Sequence, residues 1–553
     1  FVGFSFLCYT FFGLFGLSNL EISYGLSGAS KFKLTDLPSA YLIVVDPLDE
    51  FGNTGELLRC CESHNVSVIK MWSPAITRSL KAYYASESSN DDEVDAIQIA
   101  QSPSEFGESA ALQWLSKNIR YQHKFFGELK PQKQSFVQLT PDRFDINGTL
   151  VDILGVVCES DTGLRVSEQY SFDLDLSTSN GVNEGRRDKY MMQEQLKQYF
   201  LSTSTSKPSP SRPPYIRQVL TDQWSEAKAF LLSLEESGEF PNACVIKPSR
   251  GAASVGVSKA TNIEDAEKQF NLLLGTPGYA NGTVSDAVLV QEWIGGVEYA
   301  VDTVSRNGEH KVVAIWRYDK RAMNGGPFVY FCTELDGLRN CTGSESERLH
   351  NEEISTVAEY AVEVLRALCV QWGPAHIEIM LASDPGRGPV LIEANVGRFH
   401  GQEVVQLSER CYGYSAPSVC CDAYLSQIDA TESVDSDSDG VSERSEAWRR
   451  WKGIPHIPRV LGTAGARIVH LVSYVEGALS EPPRHRFNIL TELPSLCKWS
   501  LNCEGAVEGE QVQRTVDLDT TLGYALLQHE RKEQVDLDYA KLIAFQEDML
   551  VVK

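Results

Sequence analysis

The chain has 553 residues, of which 42% are hydrophobic, and it carries a formal net charge of -25 at pH 7. This length and apolar content predict several folded domains and exclude a mainly disordered protein. The acidic charge argues against nucleic acid or an anionic membrane surface as a general partner, because both bind basic surfaces, so any anionic ligand needs a local basic pocket.

The chain opens on an uncharged, aromatic-rich run, FVGFSFLCYTFFGLFGL, at residues 1–17. Residues 1–40 are interpreted as a leader: a cleaved targeting signal, a membrane anchor and a buried segment all fit this composition. Contact with a membrane is expected only through residues 1–17. Thirteen cysteines without a metal-ligand spacing favour free thiols in a reducing compartment. The predicted location is intracellular and soluble, in the cytoplasm unless the leader targets an organelle.

Residues 41–180 are predicted to form an N-terminal α/β domain. The run YLIVVD, a turn, a helix and the run VSVIKMW indicate two parallel strands joined by a helix, and ILGVVC adds a further strand. The first turn has no GxGxxG motif, so no dinucleotide site is predicted there. The charged stretch from about Lys81 to Gly148 is predicted to be irregular.

A strand ending in Lys247 precedes a loop of small residues in CVIKPSRGAASVGVSKA. Backbone amides in such a loop can close around phosphate oxygens, and the lysine adds a positive charge. The loop is not a Walker P-loop, because Val257 follows Gly256 where that motif needs lysine. The alternative, a loop that only turns the chain, is the commoner case for a single loop of this kind.

Two later segments add candidate polar groups. AVLVQEWIGGVEYAVD predicts a buried strand, a glycine turn and a second strand, which can offer backbone groups to a purine and Glu298 to a ribose. The segment WRYDKR places Arg317, Lys320 and Arg321 on a predicted turn. These cations form either an anion clamp or a solvated basic turn.

Two glutamates, Glu378 and Glu393, lie equidistant from a Pro385-Gly386 turn in AHIEIMLASDPGRGPVLIEAN. Pairing about this turn puts the carboxylates opposite each other on one sheet face, with Asn395 two residues on. Like charges so placed repel, and a cation between them would remove the repulsion. Two carboxylates and an amide oxygen suit Mg2+ or Mn2+. The alternative is a solvated hairpin with two exposed acids.

The order of these segments resembles the ATP-grasp superfamily, over about Gly185 to Leu425 of the chain. The resemblance implies an ATP-grasp fold at residues 185–428, preceded by a Rossmann-like α/β domain, with ATP and Mg2+ (or Mn2+) as cofactors. It implies nucleotide contacts at Lys189, Lys247, Ser249, Gly251, Ala252, Ala253, Ser254, Val255, Gly256, Glu292, Trp293, Ile294 and Glu298. It implies metal ligands at Glu378, Glu393 and Asn395, and catalytic roles for Lys320, Arg321 and Arg398.

Within that superfamily, WRYDKR, GGPFVYF and RFHG resemble the branch of L-amino-acid ligases and the carnosine synthase type. The resemblance implies an ATP-dependent ligase that joins a carboxylate to an amine through an acyl phosphate, releasing ADP and phosphate, with small amino acids or related amines as substrates. Members of this group usually place an arginine four residues after the second metal glutamate, whereas Gly397 stands there and Arg398 follows. Alternatives are a bicarbonate-using or carbamoyl-phosphate-type enzyme and an inactive ATP-binding scaffold, and a homodimer fits each of them.

The remaining segments follow the predicted ATP-grasp region. Residues 429–450 form an acidic, serine-rich insert, whose acids from Asp435 to Glu446 match the spacing of an EF-hand loop. Ser442 stands where that loop needs an apolar side chain, so a solvated insert is predicted there in preference to a calcium site. Residues 451–553 are predicted to form a small strand-rich C-terminal lobe.

Overall fold

The computed structural model of the chain describes residues 40–47, 53–86, 98, 100–124, 136–146, 149–203, 213–236, 243–251, 255–276, 286–340, 343–384, 386–401, 404–426, 443–502, 507–518 and 520–553. The hydrophobic run at residues 1–17 and most of the acidic insert lie outside these ranges, so the expectations for them stay predictions. Within the described ranges, no helix is long and apolar enough to cross a membrane.

An α/β unit with a five-stranded sheet comes first, with strand order β2-β1-β5-β4-β3. Every residue of the central strand β1 is buried, and β1 pairs in parallel with β2 and β5, as the apolar runs predict. The strands are β1 (Ala40–Val45), β2 (Val66–Met71), β3 (Phe136–Thr140), β4 (Arg143–Ile146) and β5 (Thr149–Cys158). The helices are α1 (Asn53–Ser63), α2 (Pro74–Ser86), α3 (Glu108–Lys124) and α4 (Leu164–Asp173).

The prediction of an irregular stretch from Lys81 to Gly148 is wrong. This stretch contains helix α3 and the hairpin of β3 and β4. Helix α3 buries Trp114, Leu115 and Ile119 in the core of the unit. The polar residues Glu108, Gln113 and Lys117 on the exposed face of the helix concealed the narrow apolar stripe.

A four-stranded sheet with the order β6-β9-β7-β8 forms the second unit. Its strands are β6 (Gln218–Thr221), β7 (Cys244–Lys247), β8 (Ser258–Ala260) and β9 (Val288–Glu292). Helices α6 (Trp224–Glu236) and α7 (Ile263–Leu273) cover it, and their buried residues Leu231 and Phe270 share a core with Ile246 and Val290. Helix α5 (Lys189–Thr203) precedes this unit in the chain.

An antiparallel eight-stranded sheet has the order β14-β13-β10-β11-β12-β15-β19-β17. Its strands are β10 (Gly296–Arg306), β11 (Glu309–Met323), β12 (Gly326–Asp336), β13 (Gly373–Ala382), β14 (Pro389–Val396), β15 (Gly465–Leu471), β17 (Leu496–Leu501) and β19 (Gly523–His529). Strand β12 pairs directly with β15, at Cys332 and Val469. The segment predicted as a separate C-terminal lobe therefore extends this sheet. A two-stranded sheet joins β16 (Gly477–Ala478) to β18 (Gln511–Val512).

Helices and short turns complete the described chain. Helix α8 (Glu345–Ala367) packs its buried stripe, which includes Ile354, Val357 and Leu365, on the eight-stranded sheet. The other helices are α9 (Val404–Tyr412), α10 (Ala416–Leu425), α11 (Glu443–Gly453) and α12 (Lys532–Gln546), with 3-10 turns at Glu184–Arg186 and Pro483–Glu492.

Two sequence predictions in this region are wrong. The basic residues Arg317, Lys320 and Arg321 lie within strand β11, not on a turn, because the strand runs on through WRYDKR to Met323 before the chain reverses. The end of the predicted acidic insert is helix α11. Its Ala447, inside the predicted insert, is fully buried, a position that solvated low-complexity sequence does not supply.

Candidate active site

A cavity of about 930 Å³ lies between the N-terminal α/β unit, the four-stranded sheet and the eight-stranded sheet. Its walls come from the four-stranded sheet, from the face of the eight-stranded sheet and from the loop after β5 that carries Ser160 and Asp161. The C-terminal strands contribute His470 and Tyr524. A cavity of this size can hold a nucleotide and small-molecule substrates together.

The two glutamates face each other as the hairpin predicts. Glu378 on β13 pairs directly with Glu393 on β14, and both line the cavity together with Asn395. The register shifts by one residue beside this pair, and the extra residue, Ile392, also lines the cavity. Such a bulge re-aims side chains at functional sites, and here it puts consecutive residues of β14 at the cavity wall.

Positive groups surround this carboxylate pair. Burial raises the pKa of Glu378, but Lys320 and His376 more than offset it and hold that pKa well below its usual range. The Lys189 ammonium donates to Glu393 Oε1 at 2.8 Å and to the Gly251 carbonyl oxygen at 2.6 Å. Glu378 is therefore ionised at neutral pH, and the nearby positive groups compensate its charge.

The small-residue loop lies beside Lys189. The backbone amide of Lys189 donates to the Ser249 carbonyl oxygen at 2.8 Å, while Gly251 and Val255 line the cavity. Gly256 has a φ of +73°, a left-handed conformation that favours glycine. The predicted contacts Ala252, Ala253 and Ser254 lie outside the described residues.

Lys247, the last residue of β7, is a buried cation on the cavity wall. Only 5% of the residue is exposed, and burial together with the neighbouring Lys189 lowers the pKa of Lys247 to about 8. The carboxylates Glu393, Glu378 and Glu298 act in the opposite direction. The ammonium is therefore charged below about pH 8 and loses its proton above it.

This titration predicts a pH-dependent affinity for nucleotide. We expect ADP binding, measured by calorimetry in EDTA, to weaken by about tenfold or more between about pH 7 and about pH 9.5, as the charge on Lys247 is lost. Lys247→Met should bind weakly at every pH in this range. Lys197→Met, which replaces a partly exposed lysine on α5, should keep the wild-type profile. Equal pH dependence in Lys247→Met and the wild type would contradict the assignment.

The segment Glu292 to Ile294, where the sequence predicts nucleotide contacts, has an apolar slot and a buried ion pair. Ile294 lines the cavity with Ile216, Met380 and Ile392, which suits the face of a flat base. The Glu292 carboxylate accepts two hydrogen bonds from the Arg387 guanidinium, at 2.5 and 3.0 Å.

The Glu292 side chain is thus held by Arg387, a residue that the sequence reasoning missed. Arg387 lies in the hairpin turn DPGRGP, and nothing local in the sequence links it to β9, more than ninety residues earlier. Trp293 also lines the cavity, stacked on Phe328 at 6.0 Å and with the Lys259 ammonium 3.9 Å from its ring centre.

The basic residues Lys320 and Arg321 of β11 differ in the groups that their side chains contact. The Lys320 ammonium donates to Glu298 Oε1 at 2.6 Å inside the cavity. The Arg321 guanidinium instead bonds Asp319, at 2.6 and 2.9 Å, and Arg321 is absent from the described residues that line the cavity. Asp319 itself lines the cavity and holds the Arg321 guanidinium, so the structure does not bring Arg321 into the cavity lining where the sequence predicted it.

Arg398 reaches the cavity from the segment after β14. Gly397, with a φ of +96°, turns the chain, and Arg398 then forms an isolated parallel bridge with Cys158. The guanidinium donates to Asp161 Oδ1 at 2.8 Å and to the Phe399 carbonyl oxygen at 3.0 Å. Despite its displacement by one residue, the side chain lines the same cavity as Glu393.

A cluster of Asp302, His376 and His400, which the sequence reasoning also missed, lies next to Glu378. Asp302 accepts hydrogen bonds from His376 Nδ1 at 2.9 Å, His400 Nδ1 at 3.1 Å and Trp316 Nε1 at 2.8 Å. The three acid and imidazole groups are close enough to hold a metal ion. The carboxylate is already satisfied by three donors, so the cluster is explained without one.

Residues 240–406 match the model of the ATP-grasp domain. Two solved structures share the fold over 93% of this chain with TM-scores of 0.51. They are an L-amino acid ligase from Bacillus licheniformis (14% identical, 99% of that chain) and a carboxyaminoimidazole ribonucleotide synthase from Aspergillus clavatus complexed with ATP (12% identical, 100% of that chain). Residues 240–406 therefore match an ATP-grasp domain, and the predicted fold class is confirmed.

Two relatives are more similar in sequence. The chain is 27% identical to dapdiamide A synthase from Enterobacter agglomerans over 278 residues, which are 49% of this chain and 57% of that protein. It is 23% identical to a D-alanine–D-alanine ligase from Acidovorax ebreus (strain TPSY) over 202 residues, 36% of this chain and 56% of that protein. The matched region spans just over half the length of these relatives.

Proposed function

We propose that the chain is an ATP-dependent carboxylate–amine ligase, which forms an amide between small amino acids or related amines. The observation that carries the proposal is the direct pairing of Glu378 with Glu393 in a cavity that also holds Lys189 and Lys247. This arrangement suits phosphoryl transfer, where catalysis rests on positioning and on neutralising phosphate charge. The similarity to two amide-forming ligases supports the same reaction class.

The nucleotide would lie between the two sheets. Its base would occupy the slot beside Ile294 and Trp293, and Glu298 would accept from the ribose hydroxyls. Lys189, Lys247 and the loop amides from Ser249 to Gly256 would bind the phosphates. Lys320 bonds Glu298 and is therefore close enough to fix the orientation of that carboxylate.

The residues present fit a divalent cation. Glu378 and Glu393 face each other, the pKa of Glu378 is held well below its usual range, and Glu393 accepts a hydrogen bond from the Lys189 ammonium. Asn395 adds an amide oxygen on the same strand as Glu393. This all-oxygen donor set is the one that Mg2+ and Mn2+ prefer. When bound, the cation would neutralise phosphate charge and polarise the transferred phosphoryl group.

The reaction needs no nucleophile from the protein. The substrate carboxylate attacks the terminal phosphorus of ATP, which gives an acyl phosphate and ADP, and the amine then displaces phosphate to form the amide. Lys189, Lys247 and Arg398 would stabilise the charge that develops on the transferred group.

A pairwise panel of L-amino acids and simple amines, incubated with ATP and Mg2+, tests the proposal. Phosphate release is followed for each pair, and product mass identifies the amide. We expect ADP and phosphate in amounts equal to the amide. Phosphate release that depends on bicarbonate alone, AMP as product, or ATP binding without turnover on any pair would overturn the proposal.

A further inference from the structure

We propose that His400 is the general base that removes a proton from the amine substrate, an inference that rests on the proposed ligase function. His400 lines the cavity, and among the described residues no hydrogen-bond partner is found for its Nε2. Its neighbour His376 has its ring centre 4.3 Å away, with the two rings tilted by 38°, and has its own Nε2 3.9 Å from Glu378 Oε1. His400 therefore lies one side chain away from the carboxylate pair.

Asp302 fixes the tautomer of His400. An ionised carboxylate only accepts hydrogen bonds, so the Nδ1 of His400, 3.1 Å from Asp302 Oδ2, must carry the proton. The neutral ring then has its lone pair on Nε2, the atom without a protein partner. Asp302 is itself held by Trp316 Nε1, and is only 3% exposed. An acid that orients an imidazole in this way also stabilises the imidazolium that forms on proton transfer.

The surrounding charges keep the ring able to accept a proton. Burial lowers the pKa of His400, Asp302 raises it, and His376 and Arg398 lower it further, so the ring is mainly neutral at neutral pH. The groups facing it are Asp302 on β10, His376 on β13 and Arg398 on its own segment. His470 on β15 also interacts with it, and burial lowers the pKa of His470 to about 4, so that ring is neutral as well.

The chemistry requires such a base. Amines are mostly ammonium ions near neutral pH, and the nitrogen must lose a proton before its lone pair can attack the acyl phosphate carbon. Nε2 of His400 would take this proton, and the lone pair that it frees then forms the carbon–nitrogen bond. The carbon–oxygen bond to phosphate then breaks, and phosphate leaves with the electron pair. The second proton on nitrogen goes to the departing phosphate or water, and the imidazolium returns its proton to solvent.

Hydroxylamine separates this role from a structural one. It is a strong nucleophile that is mostly uncharged near neutral pH, so it traps an acyl phosphate as a hydroxamate without needing a base. His400→Asn keeps an N–H donor for Asp302 but removes the base. We expect this variant to form hydroxamate at near the wild-type rate from the amino acids that the wild type accepts. Amide formation with an amino-acid amine should fall by about 10²-fold or more.

The pH profile and chemical rescue complete the test. In His400→Asn, amide formation should rise continuously with pH as free amine accumulates, and added imidazole should restore part of the rate. His310→Asn replaces a buried histidine outside the described cavity lining, and both rates should stay near wild type. Equal losses of hydroxamate and amide in His400→Asn, or unchanged amide formation, would overturn the inference. A wild type that makes no hydroxamate with any amino acid would instead overturn the proposed ligase function.

Discussion

Replacing Glu393 with glutamine is expected to abolish ligase turnover while leaving the fold intact. The substitution keeps the shape of the side chain, and its amide oxygen can still accept from Lys189, which is 2.8 Å away in the wild type. It removes one of two opposed charges from the proposed cation site. We expect kcat to fall by about 10³-fold, in the range seen when a preorganised electrostatic group is removed from an active site.

Thermal unfolding of Glu393→Gln should show whether the substitution affects ligand binding and catalysis or the fold itself. Without Mg2+, the thermal unfolding midpoint of Glu393→Gln should match the wild type, because loss of the pair with Lys189 is offset by relief of repulsion from Glu378. Mg2+ added to the ADP complex should stabilise the wild type further and not the variant, since a ligand raises stability only when it binds the native state. Glu345→Gln, at an exposed position on α8, serves as the control with normal activity. Normal turnover in Glu393→Gln would disprove the metal assignment.

The carboxylate pair could be predicted from sequence because its geometry is local. A hairpin with one short turn largely fixes which residues face each other, so the spacing of Glu378 and Glu393 predicted the pair. The bulge at Ile392, which brings Glu393 opposite Glu378, was not predicted. The series of Lys247, its loop and Glu298 was likewise readable, because each follows an apolar strand. Their roles as ligand contacts stay predictions until they are tested by binding.

Most of the features that the sequence analysis missed depend on contacts between residues far apart in the sequence. Asp302, His376 and His400 come from two strands and a following loop, and only the pairing of β10 with β13 brings the first two together. The pair of Glu292 and Arg387 joins two different sheets. The second half of strand β11 was predicted as a turn because it carries polar residues, which a strand tolerates when it lines a polar cavity or meets solvent.

Arg387→Met is expected to destabilise the protein by about 3–5 kcal/mol, because it leaves the Glu292 carboxylate buried without its partner. The side chains of this pair are only 4% and 3% exposed, and the guanidinium also donates to the Tyr215 carbonyl oxygen at 3.1 Å. Arg387 belongs to the turn between β13 and β14, whereas Glu292 ends β9. The pair therefore fixes the proposed nucleotide slot relative to Glu378 and Glu393 of the proposed cation site, and ADP affinity should fall together with stability.

The double variant Glu292→Gln/Arg387→Met should recover much of both losses. Glutamine is neutral, so no charge stays buried, and its side-chain oxygen can still accept from the Arg217 backbone amide, a bond of 2.7 Å in the wild type. A double-mutant cycle on urea unfolding should therefore give a coupling energy of at least about 2 kcal/mol between the two sites. Arg348→Met, which removes an exposed ion pair with Glu352 on α8, should change stability by less than about 1 kcal/mol. Additive losses in the double variant would mean that the two residues act independently. The pair would then not hold the end of β9 in place.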